Sequence, residues 1–177
     1  MTAAQPDAIT IARHATPIGT ALLAIDEAGV LRAFNWTDYE PQMTAWLSRR
    51  YPRATLAEGA APGAVLAAFD AYFGGDPRAL EPVAWRAVGT EFQLAVWTAL
   101  CSIPAGETIS YAQLAGRVGR PAAIRAVGLA NGANPLALVA PCHRVIGANG
   151  SLTGYGGGLH RKRWLLAHEG ARFKEAA

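Results

Sequence analysis

The chain is organised around the hexapeptide Pro141-Cys142-His143-Arg144-Val145-Ile146. A short apolar run, residues 136–140, leads into it from the turn signal Asn134-Pro135, and a second turn signal follows at residues 147–150. This pattern predicts a buried strand that delivers Cys142 to a fixed point. A neighbouring imidazole lowers the pKa of a thiol, and the thiolate is the reactive form. The sequence therefore makes Cys142 a candidate nucleophile with a lowered pKa, and inert packing is the alternative.

Composition excludes several classes of protein. The 177 residues are 51% apolar and 16% charged, as in a globular protein and unlike a disordered chain. No apolar run reaches the roughly 18 residues of a membrane span, and the first residues lack the basic and apolar regions of a signal peptide. The two cysteines, Cys101 and Cys142, cannot form a disulfide framework. We therefore expect a cytoplasmic protein with no membrane segment.

Charge is distributed unevenly along the chain. The formal net charge is +3, with −2 in residues 1–89 and +5 in residues 90–177. A basic second half is typical of a protein with a polyanionic partner, although a solvated surface rich in arginine would look the same.

The first half predicts a small antiparallel sheet followed by helices. Three segments with strand character, separated by turn signals, form a meander: residues 9–14, 20–25 and 30–36. A helix is expected from Glu40 to Arg50, before Pro52, and a second from Pro62 to the Gly74-Gly75 pair. The segment 76–88 is the expected linker.

The second half is predicted to be mainly helical. Thr90 to Gln93 and Ser110 to Gln113 are capping boxes that each begin a helix, and Cys101 ends the first of these helices as inert packing. Gly119 breaks the second helix and Pro121 begins the next, which gives a helix-turn-helix spacing. The last helix is expected at residues 159–169, with the basic cluster 161–163 either solvated or in contact with phosphates.

The second helix of this pair has an unusual composition. Its start, residues 121–126, is small and apolar apart from Arg125, whereas helices that contact the major groove present several polar side chains. Such residues favour close approach to a backbone or a shallow groove. The alternative is a buried helix whose Arg125 extends to water.

Many short motifs, in order, carry a family resemblance. They are Gly89-Thr-Glu-Phe-Gln93, Ile103-Pro-Ala-Gly-Glu-Thr108, Ser110-Tyr-Ala-Gln-Leu-Ala115, Arg125-Ala-Val-Gly128, the hexapeptide with Asn134-Pro135 and Gly154-Tyr155, and Trp164-Leu-Leu-Ala-His-Glu-Gly170. With them the chain resembles the O6-alkylguanine-DNA alkyltransferases, also called methylated-DNA–protein-cysteine methyltransferases. The resemblance covers residues 89–170 closely and the first 85 residues loosely.

The resemblance implies an α+β fold with two domains. Residues 1–85 would form an N-terminal α/β structural domain, a three-stranded antiparallel sheet with helices of the ribonuclease H-like roll type. Residues 86–177 would form a mainly helical winged helix-turn-helix domain that binds DNA and carries out alkyl transfer.

The resemblance also implies the roles of individual residues. Cys142 would accept the alkyl group, with His143 as its base, Glu169 orienting His143, and Tyr111 donating a proton to the departing guanine. Asn134, Val145, Tyr155 and Gly156 would bind the substrate base. Arg125 would fill the gap left by a flipped base, and the other DNA contacts would come from Ala123, Ala126, Arg120, Tyr111 and Arg163.

The expected reaction is DNA repair in a single turnover. The alkyl group of O6-alkylguanine, and of O4-alkylthymine, would pass irreversibly to Cys142 after the base leaves the duplex. The expected partner is double-stranded DNA, the expected state is a monomer, and no cofactor is expected. No metal is expected either, because the zinc site of some family members uses two N-terminal cysteines and no cysteine precedes Cys101 here. The chain departs from the family pattern at Ile124, where a small residue is usual, and at Gly156, where some members carry serine.

Two other functions are compatible with parts of the sequence. A non-catalytic alkylation-damage sensor, or a helix-turn-helix module without chemistry, would bind DNA, but such sensors lack the reactive cysteine. A cysteine hydrolase would need an oxyanion site and a histidine distant in sequence, and the adjacent Cys142 and His143 argue against it.

Overall fold

Three antiparallel strands form the centre of the first half, as the alternating apolar pattern predicts. The computed structural model describes residues 5–174. Strands β1 (Ala8–Thr16), β2 (Gly19–Asp26) and β3 (Leu31–Trp36) pair in sequence order. The turn between β2 and β3 is held by the Asp26 carboxylate, which accepts the backbone N–H groups of Ala28 and Val30 at 3.0 and 2.8 Å.

The prediction of a three-stranded sheet is wrong by one strand. A fourth strand, β4 (Thr55–Glu58), pairs in parallel with β1, and the order across the sheet is β3-β2-β1-β4. It is a short edge strand in which only Leu56 is half-buried. Four residues with one partly covered side chain give no alternation that a sequence pattern could detect.

Helices cover both faces of the sheet. Helix α1 (Glu40–Arg50) buries Met43 and Leu47 against one face, together with Ile9, Ile11 and Tyr51. Helix α2 (Gly63–Phe73) lies against the other face, where the ring of Phe69 stacks on Phe34 at 5.5 Å. Both helices occupy the predicted ranges, since Pro52 and the Gly74-Gly75 pair end them.

The two capping boxes of the second half are formed as predicted. Helix α3 (Glu91–Leu100) begins at Thr90, whose hydroxyl accepts the backbone N–H of Gln93, while the Gln93 side chain accepts that of Thr90. Ser110 and Gln113 make the same pair of bonds at helix α4 (Tyr111–Arg117), directly after the short strand β5 (Ile109–Ser110).

Helix α5 (Ile124–Gly132) begins three residues later than the proline suggested. Gly119 adopts a left-handed conformation with φ of 69°, and Ala123 N–H donates to the Arg120 carbonyl at 2.8 Å. Residues 120–123 are therefore a turn, and Pro121 lies in that turn instead of the first helical turn.

The segment before Cys142 is buried as predicted but is not a strand. Leu136 forms an isolated parallel bridge with Phe34, and residues 137–139 form turns. Ala140 N–H donates to the Leu136 carbonyl at 2.8 Å, and Leu138 has a φ of 78°. The sequence pattern could not separate a buried strand from a buried turn, because both are short apolar runs. A 3₁₀ turn, Cys142–Arg144, follows, and strand β6 (Val145–Ile146) then pairs in parallel with β5.

Helix α6 (Leu159–His168) ends the described fold and packs into a core that contains side chains from both halves. The expected linker, residues 76–88, is also packed: Leu80, Val83 and Ala87 are buried, and its backbone bonds to Leu31. Within residues 5–174, every helix is too short or too polar to cross a bilayer.

Arg161, at the start of α6, connects the two halves of the chain through hydrogen bonds. Its buried guanidinium donates to the Ile18 carbonyl at 2.9 Å, to both carboxylate oxygens of Asp38 at 2.8 and 2.9 Å, and to the Gly157 carbonyl at 2.9 Å. It also lies over the ring of Trp36, 4.6 Å from the ring centroid. The sequence had suggested a solvated or phosphate-contacting cluster here, and for Arg161 that expectation is wrong.

We expect Arg161→Leu to lower the free energy of unfolding by about 2–4 kcal/mol, because buried carbonyls lose their donor and Asp38 loses its partner. Urea unfolding followed by fluorescence measures this. The control is Arg120→Ala, which removes an exposed side chain and should change stability by less than about 0.5 kcal/mol. Equal losses in the two variants would contradict the assignment.

Candidate active site

Cys142 is held at the end of a braced loop. The Asn134 side chain donates to the Ala140 carbonyl at 2.7 Å and accepts the backbone N–H of Leu136 at 3.0 Å. Cys142 N–H in turn donates to the Ala140 carbonyl at 2.7 Å. The Asn134 amide therefore holds both ends of residues 136–140. The backbone of this segment then sets the position of the Cys142 thiol.

The thiol of Cys142 is protonated in the resting protein, contrary to the expectation of a lowered pKa. Burial raises the pKa of Cys142 above its ordinary value, and a hydrogen bond from Asn134 and the charge of Lys162 oppose this only in part. Burial disfavours the charged form of any thiol. The adjacent His143 does not reverse this effect because its own ring is buried and neutral.

His143 and Glu169 form a completely buried pair. Glu169 Oε1 lies 2.9 Å from His143 Nε2, and Nδ1 has no hydrogen-bond partner among the described residues. Burial lowers the pKa of His143 despite the neighbouring carboxylate, so the ring is neutral. A carboxylate at Nε2 fixes the proton there, which leaves the Nδ1 lone pair free to accept a proton.

Glu169 remains ionised because it accepts several hydrogen bonds. Arg144 donates from Nε to Oε2 and from Nη2 to Oε1, both at 2.9 Å, and the Tyr72 hydroxyl donates to Oε1 at 2.8 Å. Burial alone would raise the pKa of Glu169, but His143 and Arg144 outweigh it and hold that pKa well below its usual range. The sequence analysis had assigned a role to neither Arg144 nor Tyr72.

A cavity of about 270 Å³ lies in front of Cys142. The predicted residues Tyr111, Tyr155 and Gly156 line it, together with Gly128, Asn131, Gly132 and Gly154. The Tyr111 hydroxyl lies 3.1 Å from Thr153 Oγ1. A side chain added at Gly156 would meet nothing within 4 Å, so the missing side chain leaves open space beside the cavity.

Lys162 is a buried residue of this site that the sequence analysis did not single out. Its ammonium donates to the carbonyls of Val145 at 2.6 Å and Thr153 at 2.9 Å. Burial lowers the pKa of Lys162 to about 8. Val145, predicted to contact the base, is buried with its carbonyl engaged by Lys162, and it lies outside the residues that line the cavity.

The predicted DNA-contacting residues lie on the surface. Arg125 and Ala126 are exposed on α5, Ala123 is half-buried, and Arg120 is exposed in the turn before it. Ile124 is 44% exposed, so the alternative of a buried helix start is wrong. Arg163 is exposed on α6, and Cys101, expected to be buried packing, is an exposed free cysteine.

Helix α5 carries both cavity-lining residues and predicted DNA-contacting residues, so the cavity lies close to the predicted DNA surface. Gly128 and Gly132 of α5 line the cavity, one and two turns beyond Arg125. In the described part of the chain, His, Cys, Asp and Glu side chains form no cluster of three that could hold a metal ion.

Known proteins share both this sequence and this fold. Residues 91–171 match the family described as "6-O-methylguanine DNA methyltransferase, DNA binding domain". A Salmonella typhimurium protein named methylated-DNA–protein-cysteine methyltransferase is 46% identical over 158 residues, which cover 88% of this chain and 92% of that protein.

Solved structures agree with these sequence matches. Mycobacterium tuberculosis O6-methylguanine methyltransferase has a TM-score of 0.74 and 43% identity, covering 92% of this chain and 93% of its own. Mycobacterium tuberculosis OGT in complex with DNA has the same TM-score and identity, covering 90% and 92%. The mixed α+β fold is that of these methyltransferases, and the chain belongs to the methylated-DNA–protein-cysteine methyltransferase family.

Proposed function

We propose that this protein repairs DNA by moving the alkyl group of O6-alkylguanine, and of O4-alkylthymine, onto its own Cys142. The observation that carries the proposal is the position of Cys142, between the cavity in front of it and the buried His143–Glu169 pair. Family membership gives the reaction class, and the geometry supports a proposed role for each group.

The transfer begins with the thiol proton. His143 accepts it at Nδ1, directly or through a water, while Glu169 stabilises the imidazolium that forms. The thiolate then attacks the alkyl carbon, an S–C bond forms, and the C–O6 bond breaks with its electron pair remaining on guanine. Tyr111, which lines the cavity, donates a proton to the guanine ring and neutralises the leaving group.

The reaction ends with one turnover. A thioether on Cys142 has no leaving group that is readily displaced, so the alkyl group stays on the sulfur. Each molecule is therefore consumed by the base that it repairs.

DNA binding is assigned to the exposed start of α5. Arg125 is exposed and has no hydrogen-bond or ion-pair partner within residues 5–174, and small side chains at 123 and 126 allow close approach to the minor groove. An apolar stem and a planar head suit Arg125 to fill the gap left by a flipped base. Arg120 and Arg163 are proposed to contact phosphates, and Tyr155 and Gly156 to line the base site. Asn134 and Val145 are proposed to support that site from behind the cavity.

This function fits two structural units. We assign residues 1–85 to a structural unit of the ribonuclease H-like roll type and residues 86–177 to a winged helix-turn-helix unit in which α4 and α5 are the helix pair. Two free cysteines agree with a reducing, cytoplasmic location, and we propose that the monomer binds the duplex.

A damage sensor without chemistry is the alternative function. It would account for the exposed face of α5, but it gives no role to a cavity-lining thiol next to a buried histidine–carboxylate pair. The buried network behind Cys142 therefore favours the transferase.

We expect Cys142 to be the only alkylated residue. Mixed with a duplex containing O6-methylguanine, the protein should gain the mass of one CH₂ unit, and excess DNA should add no more. Cys142→Ala should show no gain, whereas the control Cys101→Ala should react like the parent. A mass gain in Cys142→Ala, or repeated turnover, would overturn the assignment.

Arg125→Ala tests whether Arg125 acts on base flipping or on the transfer chemistry. We expect the transfer rate from duplex DNA to fall by roughly 10- to 100-fold, since unstacking costs a few kcal/mol and the gap stays empty. The rate with free O6-benzylguanine should change by less than about twofold, because a free base needs no flipping. Single-turnover rates on the two substrates measure this.

Arg163→Ala is the matched control for Arg125. Because Arg163 is proposed to contact a phosphate, its removal should weaken DNA binding and reduce the salt dependence of that binding. It should not produce the difference between the transfer rates on duplex and free base that is expected of Arg125→Ala. Equal losses on duplex and free base in Arg125→Ala would show that Arg125 supports the cavity and does not act on the flipped state.

A further inference from the structure

We propose that Tyr72, from helix α2 of the first half, is a positioning residue of the alkyl-transfer site that sets how strongly Glu169 attracts the proton of His143. The proposal rests on the function proposed above and assigns to the first half a part in the chemistry.

Tyr72 and His143 share a single oxygen atom. The Tyr72 hydroxyl donates to Glu169 Oε1 at 2.8 Å, and His143 Nε2 lies 2.9 Å from the same Oε1. Tyr72 is 1% exposed and the two other side chains are completely buried, so no solvent screens the contacts. Arg144 Nη2 donates to the same Oε1 at 2.9 Å, so Tyr72 and Arg144 both compete with His143 for the electron density of this atom.

The position of Tyr72 is fixed independently of its hydroxyl. Its backbone carbonyl accepts a hydrogen bond from His168 Nε2 at 2.7 Å, and its ring lies 5.3 Å from that of His168. The neighbouring Phe73 contacts Trp164, with ring centroids 5.9 Å apart. The end of α2 is therefore attached to the end of α6, next to Glu169, and removal of the hydroxyl leaves these contacts in place.

The direction of the effect follows from the hydrogen bonds. A neutral donor on Oε1 stabilises the carboxylate charge and weakens its pull on the His143 proton. Without the hydroxyl, Oε1 attracts that proton more strongly, and the pKa of His143 rises. Tyr72 therefore keeps the imidazole neutral and ready to accept the thiol proton.

Other charged and titratable groups also face this pair. Arg144 donates to both oxygens of Glu169, and the charge of Lys162 acts on His143 from α6. Cys142 precedes His143 in the 3₁₀ turn, and the Tyr155 ring lies 6.4 Å from the imidazole. All of them are unchanged when only the Tyr72 hydroxyl is removed, so a shift in His143 reports on Tyr72.

The test is Tyr72→Phe, with Tyr51→Phe as the matched control. Tyr51 is also a 1% exposed tyrosine of the first half, but its hydroxyl faces the Arg86 carbonyl at 3.5 Å, away from the site. The pKa of His143 is measured from the nitrogen chemical shifts of its imidazole in free, full-length protein. The single-turnover transfer rate from an O6-methylguanine duplex is measured over the same pH range.

In Tyr72→Phe we expect the pKa of His143 and the acidic limb of the rate profile to move up together by roughly 0.5–1 pH unit. Tyr51→Phe should match the parent in both measurements. A lowered melting temperature in Tyr72→Phe with a His143 titration identical to that of the parent would show a structural role only and overturn the proposal.

A second variant does not depend on removing the hydroxyl. Fluorotyrosine at position 72 keeps the contact and makes the hydroxyl a stronger donor, so the pKa of His143 should fall, and a rise would contradict the proposal. The imidazole titration needs no substrate. A parent protein that failed to transfer alkyl groups would refute the proposed function, while the titration would still decide the role of Tyr72.

Discussion

The buried carboxylate of Glu169 is the group on which the arrangement of the site depends. A carboxylate in a protein interior is tolerated only when it is paired and hydrogen-bonded. Its partners are His143 and Arg144 beside the reactive cysteine, and Tyr72 more than ninety residues away in sequence. The hydrogen bonds to this one carboxylate therefore connect the end of α6, the segment that carries Cys142, and α2.

This arrangement determines the resting state of the thiol. Burial keeps the imidazole neutral despite the carboxylate beside it, and a neutral imidazole next to a buried thiol leaves the sulfur protonated. A protonated thiol is a poor nucleophile. Under the proposed mechanism a protein that reacts once gains from this, since its cysteine would be activated by proton transfer only when the cavity is occupied.

The sequence predicted those parts of the fold that depend on local patterns. Strands β1 to β3, helices α1 and α2 and both capping boxes follow from alternation, from proline and glycine positions and from side chains three residues apart. Strand β4 and the turns before Cys142 were missed because their conformation is set by distant partners.

The site shows the same division. The family resemblance named Cys142, His143 and Glu169, and the structure places them together. The sequence could not give the direction in which the pKa of the Cys142 thiol shifts, because that direction depends on burial. Nor could it show that Lys162 is the buried member of a basic cluster. Tyr72 looked like one more apolar position of an amphipathic helix, since only the folded chain shows what its hydroxyl contacts.

The attachment of Arg161 to Trp36, Ile18 and Gly157 also bears on how the chain loses its structure. Side chains of both halves fill one core, and the segment between the halves is itself buried against β3. Neither half can be released without exposing the apolar surface of the other. Cooperative melting in a single transition is the consequence, so a protease would find cleavable chain mainly in molecules that have unfolded from end to end.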